Sequence, residues 1–132
     1  MSTITTDPWS EVMPNLWIGT TEWSPREDLF DAVLTLGHDA APVPRGMREY
    51  KWDLGAMETP EPTTVKTVTD WMVRRWIAGD KCLIRCRNGL DRSGLIAAKV
   101  LNTAGATPHE AMQIVRMKRP GAISDKYLRT IA

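Results

Sequence analysis

The hydrophobic pattern changes period several times along the chain, and each change predicts an element. Leu16 to Gly19 is a short apolar run that reads as a strand. Residues 32–36 (AVLTL) form a continuous apolar run with β-branched character, suited to a parallel strand buried on both faces. Residues 47–54 alternate more loosely and predict a further strand. Val65, Val68, Met72 and Trp76 then fall at steps of three and four, the buried stripe of a helix that stops at Gly79. Residues 81–85 (KCLIR) return to strand character. Residues 93–104, rich in Leu, Ile, Ala and Val, return to a helix.

Turn and cap signals divide these segments. Ser24-Pro25-Arg26-Glu27 has the capping-box pattern with proline at the first helical position, which predicts a brief helix. Thr107-Pro108-His109-Glu110 repeats the pattern and predicts a helix through about Lys118. Ser124 is placed to cap a last one. Residues 37–46, with Pro42 and Pro44, read as loop, and residues 58–62 (ETPEP) as a rigid acidic loop. Strands alternating with helices predict an α/β fold, with a mainly parallel central sheet and helices on both faces. In such sheets ligands bind beyond the carboxyl ends of the strands.

Composition narrows the picture. At 132 residues and 42% hydrophobic, the chain fits one domain spanning 1–132. The 17 basic and 16 acidic residues nearly cancel, so no global field points to nucleic acid, and any anion must be met by a local cluster. No apolar run approaches the roughly 20 residues of a spanning helix. The first residues, MSTITTDPWSEV, lack the apolar stretch of a secretion signal, so a cytoplasmic protein without membrane insertion is the expectation. Cys82 and Cys86 lie four residues apart in a predicted strand, about 13 Å along an extended backbone, too far for a disulfide. With His38 and His109 they match no metal-ligand spacing, and no metal or organic cofactor is expected. His109 reads as an exposed residue of a helix's first turn.

The candidate chemistry lies where strand 81–85 runs into the next helix: Arg85-Cys86-Arg87-Asn88-Gly89-Leu90-Asp91-Arg92-Ser93-Gly94. A helix N-terminus offers unpaired backbone N–H groups and the positive end of its dipole, a ready anion site. Gly89 lets the backbone curl round an anion without a Cβ clash. Arg92 supplies a planar fork for two phosphate oxygens. Helix N-termini and adjacent cations also favour the thiolate form of a cysteine. The run therefore assigns Cys86 as nucleophile and residues Arg87, Asn88, Gly89, Leu90, Asp91 and Arg92 as a phosphate-binding loop. Ser93 is placed to donate a hydrogen bond to the sulfur. A buried, inert Cys86 beside a plain helix start is the bland alternative.

Cys86, five residues, then Arg92-Ser93-Gly94 resembles the signature of the cysteine-dependent protein-tyrosine and dual-specificity phosphatases, particularly the small phosphatase-like proteins of bacteria and actinobacterial phages. Asn15-Leu16-Trp17-Ile18-Gly19 resembles that family's opening strand, residues 32–36 a following strand, and residues 116–128 (RMKRPGAISDKYL) the closing segment that packs near the active site. The resemblance implies in-line attack by Cys86 on a phosphomonoester, a phosphocysteine intermediate and its hydrolysis. Phosphotyrosine-like substrates come first, a phosphoinositide or RNA 5′-phosphate second. A sulfate or phosphate anion is expected in the loop, and a phosphorylated protein or lipid as partner.

Two positions depart from that pattern. Arg85 stands where most members have histidine; with Arg87 it is expected to make the mouth of the site basic. The family's general acid is an aspartate about 30 residues upstream, where this chain reads Trp52-Asp53-Leu54-Gly55-Ala56-Met57-Glu58-Thr59-Pro60. Glu58 is nearest by its spacing to proline, and Asp53 falls slightly early. Asp91 is the third candidate, because Leu90-Asp91-Arg92 resembles the loop ending of certain lipid and bacterial tyrosine phosphatases. A weakly catalytic phospho-ligand binding module is the rival from another class. A rhodanese-type sulfur transferase fits the Arg-Ser-Gly ending poorly.

Overall fold

The computed structural model describes residues 8–53 and 61–123. The expected strand at the centre forms as β5 (Cys82–Cys86), in parallel register with β2 (Leu16–Thr20) on one side and β3 (Ala32–Leu36) on the other. β4 (Arg48–Trp52) extends the sheet in parallel beyond β3. A strand the periodicity did not predict, β1 (Trp9–Met13), pairs antiparallel with β2 at the opposite edge. The order is β1-β2-β5-β3-β4, a mixed five-stranded sheet. β1 escapes a hydrophobic reading because only Val12 in it is buried. Its pairing comes from the tight reversal into β2.

Every residue of β3 and β5 is buried, as expected of central parallel strands covered on both faces. Leu34, Leu36 and Ile84 have no exposed surface, and each such side chain contributes about 1.5–3 kcal/mol of transfer free energy. The two covers differ. α1 (Pro62–Ile77), α2 (Asp91–Thr103) and α3 (Pro108–Lys118) all send their buried side chains into one core with Leu34, Leu36, Ile84 and Cys86. The other face, bearing Val33 and Leu83, is closed by Phe30, Trp9 and Trp17. The Phe30 ring meets the two indoles edge-on at 5.3 and 5.5 Å. The expectation of helices on both faces is thus corrected for the described residues: helices cover one, aromatic and loop residues the other.

Local signals held where nothing larger opposed them. The Thr107 capping box forms in both arms: Thr107 Oγ1 accepts from the Glu110 N–H at 3.1 Å and Glu110 Oε1 from the Thr107 N–H at 2.9 Å. The similar pattern at Ser24 does not start a helix. Residues 27–29 make a single turn, with the Leu29 and Phe30 N–H groups donating to the Arg26 carbonyl. Phe30 must enter the aromatic cluster and Ala32 must begin β3, so no length is left for a second turn. The predicted cap at Ser124 lies outside the described residues. None of the described helices is long and apolar enough to cross a membrane.

Candidate active site

β-strand alternation decides where each side chain at the end of β5 goes. Cys82, Ile84 and Cys86 face the helices, whereas Leu83 and Arg85 face the other way. Cys86 is the last residue of the strand, opposite Thr20 of β2 and Leu36 of β3, so its sulfur emerges at the carboxyl edge beneath the start of α2. The Ser93 N–H donates to Cys86 Sγ at 3.3 Å, and the Ser93 hydroxyl lies 3.3 Å from the same sulfur. The sulfur thereby occupies one of the orphan donors of the helix N-terminus. Arg92 lies in the same first turn and is almost entirely buried.

Between them the chain makes a tight loop. The Gly89 N–H donates to the Cys86 carbonyl at 3.1 Å. Gly89 has φ +68°, and a Cβ there would come within 2.8 Å of the Gly19 carbonyl carbon and 2.9 Å of the Thr20 nitrogen. Two backbones meet at this point, so a side chain is excluded on both conformational and steric grounds. The loop is tied to β2 again by Thr20 Oγ1, which donates to the Arg87 carbonyl at 3.0 Å, and by the Thr21 N–H, which donates to the Cys86 carbonyl at 3.0 Å. Arg87 and Asn88 are exposed. Leu90 takes the N-cap position of α2 and its carbonyl accepts from the Gly94 and Ile123 N–H groups. Asn88 Oδ1 accepts from the Leu90 and Asp91 N–H groups at 2.9 and 3.2 Å.

Arg119, which sequence reasoning did not single out, braces this loop. It is buried at the end of α3, donates from Nε to the Gly89 carbonyl at 2.7 Å, and reaches Ser10 Oγ of β1 from Nη1 at 2.8 Å. The sole hint was the likeness of residues 116–128 to a closing segment. Of that stretch the described part packs against the loop, with Arg116 donating to the Ala122 and Ile123 carbonyls. A buried arginine binding a backbone carbonyl thirty residues away leaves no trace in local periodicity.

Arg85 corrects the expectation of a basic mouth. Its guanidinium lies on the sheet face opposite Cys86 and is 1% exposed. It donates to Thr35 Oγ1 at 3.0 Å, the Ala41 carbonyl at 2.8 Å and the Trp23 carbonyl at 3.3 Å, with Glu49 3.5 Å away. Burial lowers its pKa from the ordinary value and Glu49 opposes that shift, but arginine stays charged. Arg85 therefore staples the two loops that follow β2 and β3, beside the site rather than in it.

The three acid candidates separate. Asp91 stands in the first turn of α2, where Asn88 Nδ2 donates to its Oδ2 at 3.3 Å. Asp53 follows β4 in the open, 3.7 Å from His38 Nδ1, with both side chains more than 60% exposed. Glu58 lies outside the described residues. Cys82, at the other end of β5, donates to the Asp80 carbonyl at 3.4 Å, and burial pushes its pKa up to about 12.

Neither a protein-family model nor a curated protein sequence matches the chain. Solved structures do. Tk-PTP in its active form is 24% identical, with a TM-score of 0.78 over 96% of this chain and 95% of that one. Human DUSP28 is 20% identical, with a TM-score of 0.81 over 98% and 93%. PTPMT1 in complex with PI(5)P is 14% identical, with a TM-score of 0.77 over 95% and 92%. The cradle at the end of β5 thus sits in a single α/β domain with the fold of the dual-specificity and protein-tyrosine phosphatases.

Proposed function

We propose that the protein is a cysteine-dependent phosphomonoester hydrolase that acts on phosphotyrosine-like substrates. One observation carries the reading: Cys86 Sγ lies at the N-terminus of α2, in contact with the Ser93 N–H and hydroxyl, with Arg92 in the same turn. The likeness of the whole domain to phosphatase structures supports it.

In this reading the Cys86 thiolate attacks phosphorus in line, an S–P bond forms, and the P–O bond to the leaving group breaks. The leaving oxygen takes a proton from Asp91. Water then attacks the phosphocysteine, giving its proton to the Asp91 carboxylate, and the S–P bond breaks to release inorganic phosphate and the thiolate. The Ser93 hydroxyl stabilises that departing sulfur. Arg92 and the loop amides other than that of Gly89, which donates to the Cys86 carbonyl, hold the equatorial oxygens as charge spreads over them. Asp91 is preferred to Asp53 because it belongs to the loop itself, whereas Asp53 is paired with His38 in solvent.

A phosphoinositide is the second substrate class, favoured by the likeness to PTPMT1, whose structure holds PI(5)P. Turnover on p-nitrophenyl phosphate, a phosphotyrosine peptide and a phosphoinositide panel tests both readings side by side. Oxyanion binding without turnover on any of them would replace the enzyme with a phospho-ligand binding module.

A further inference from the structure

The loop already holds an acceptor of its own. Asn88 Oδ1 takes the Leu90 N–H at 2.9 Å and the Asp91 N–H at 3.2 Å, and it lies 3.4 Å from Cys86 Sγ. Two amides at the start of α2 and the nucleophilic sulfur therefore converge on one neutral oxygen. A phosphate oxygen bound for attack needs the same neighbours: amide donors from the loop, and the sulfur at contact distance from the phosphoryl group.

We propose that Asn88 is a built-in competitor for the anion, its carboxamide oxygen standing in for a phosphate oxygen until substrate turns it out. The inference rests on the phosphatase reading and adds a resting state to it. Asn88 is exposed on its outer side, so rotation about its two side-chain torsions carries the carboxamide into water without disturbing the core. Its nitrogen makes the second link, to Asp91 Oδ2 at 3.3 Å. When the oxygen leaves the cradle the nitrogen leaves the carboxylate. Arrival of the anion therefore opens the amide donors and takes the Asn88 hydrogen bond off the Asp91 carboxylate in one movement. Apparent affinity for an oxyanion is reduced by the fraction of molecules with Asn88 turned in.

The same contacts admit a rival role, in which Asn88 merely holds the loop in shape, and two variants separate the roles. Tungstate binding by calorimetry and kcat/KM on p-nitrophenyl phosphate are measured on the full chain for wild type, Asn88→Ala and Asn88→Asp. Alanine removes the competitor, and tungstate is expected to bind about three- to tenfold tighter, the scale of the hydrogen bonds released. KM should fall with it. Aspartate keeps the acceptor and gives it charge, so it should bind tungstate more weakly than wild type. If alanine weakens tungstate binding and aspartate restores it, Asn88 is a scaffold residue: the inference is overturned and the phosphatase reading stands. If neither wild type nor either variant binds tungstate or turns over substrate, the phosphatase reading falls and the inference falls with it. Binding that appears in Asn88→Ala and is missing from wild type would be its strongest support.

Discussion

The two ends of β5 carry the same side chain on the same face and surround it with backbone of opposite polarity. Cys82 opens the strand among apolar neighbours, near Asp80 and Asp31, and its thiol is held protonated with a pKa of about 12. Cys86 closes the strand under the N-terminus of α2, where a backbone N–H points at its sulfur. Both are fully buried, so burial does not distinguish them. What differs is the backbone around each: a carbonyl oxygen faces Cys82 Sγ and an amide faces Cys86 Sγ. The direction of a parallel strand thus sorts two equal cysteines, because its carboxyl end meets helix N-termini and its amino end does not.

The sharpest break of this comparison is the pair of serine variants. Cys86→Ser is expected to lose at least about 10³-fold in turnover, since no nucleophile of comparable strength remains. Its tungstate affinity should stay near that of wild type, because the loop amides and Arg92 remain. Equal loss in Cys82→Ser, measured on p-nitrophenyl phosphate, would mean the nucleophile has been misassigned.

Arg92→Lys and Asp91→Asn come next. A point ammonium cannot reproduce the two-oxygen clamp, and a loss of about 10²–10³ in kcat is expected. Near-normal turnover would place the phosphate elsewhere. Asp91→Asn should lose about 10²–10⁴-fold on a phosphate ester with a poor leaving group and much less on p-nitrophenyl phosphate. If Glu58→Gln shows that selective loss and Asp91→Asn does not, the acid lies on the proline-containing segment.

Arg85→Met probes the reverse face of the same strand end. It leaves Thr35 Oγ1 and two loop carbonyls without the arginine donor and removes the cation beside Glu49, which keeps its 2.6 Å bond from the Thr35 hydroxyl. A loss of about 2–3 kcal/mol in urea unfolding is expected, below the full cost of breaking a buried pair because Glu49 keeps contact with water. The folded variant should still bind tungstate in the loop. A variant as stable as wild type would show that the staple does not hold the flanking loops.

The smallest effect belongs to Cys82→Ser, with turnover within about twofold of wild type and stability lowered by roughly 1 kcal/mol. In the native wild-type protein at neutral pH, iodoacetamide should add once, at Cys86; a second adduct, at Cys82, should appear only in urea. Modification of Cys82 at the same rate as Cys86 in the native state would erase the difference between the two strand ends.

What the sequence determined was written within a few residues, although the Ser24 pattern, equally local, started no helix. The five-residue interval from Cys86 to Arg92, the apolar run of β3, the stripe of α1 and the Thr107 cap each depend on neighbours in the chain, and each is present where its pattern stood. What only the tertiary structure decided depends on register between distant segments. β1 exists because the chain reverses tightly enough to lie against β2. The helices share one face because the connections after β2 and β3 and the aromatic cluster fill the other. The same alternation that aims Cys86 at α2 turns Arg85 away, and which face was which became visible only once the sheet had assembled. Arg119 reaches the Gly89 carbonyl from the end of α3, and Asn88 folds its own carboxamide over the sulfur. Side-chain periodicity reports which residues are buried, but the partner of a buried polar group is set by the packing of whole elements, and that is a property of the fold.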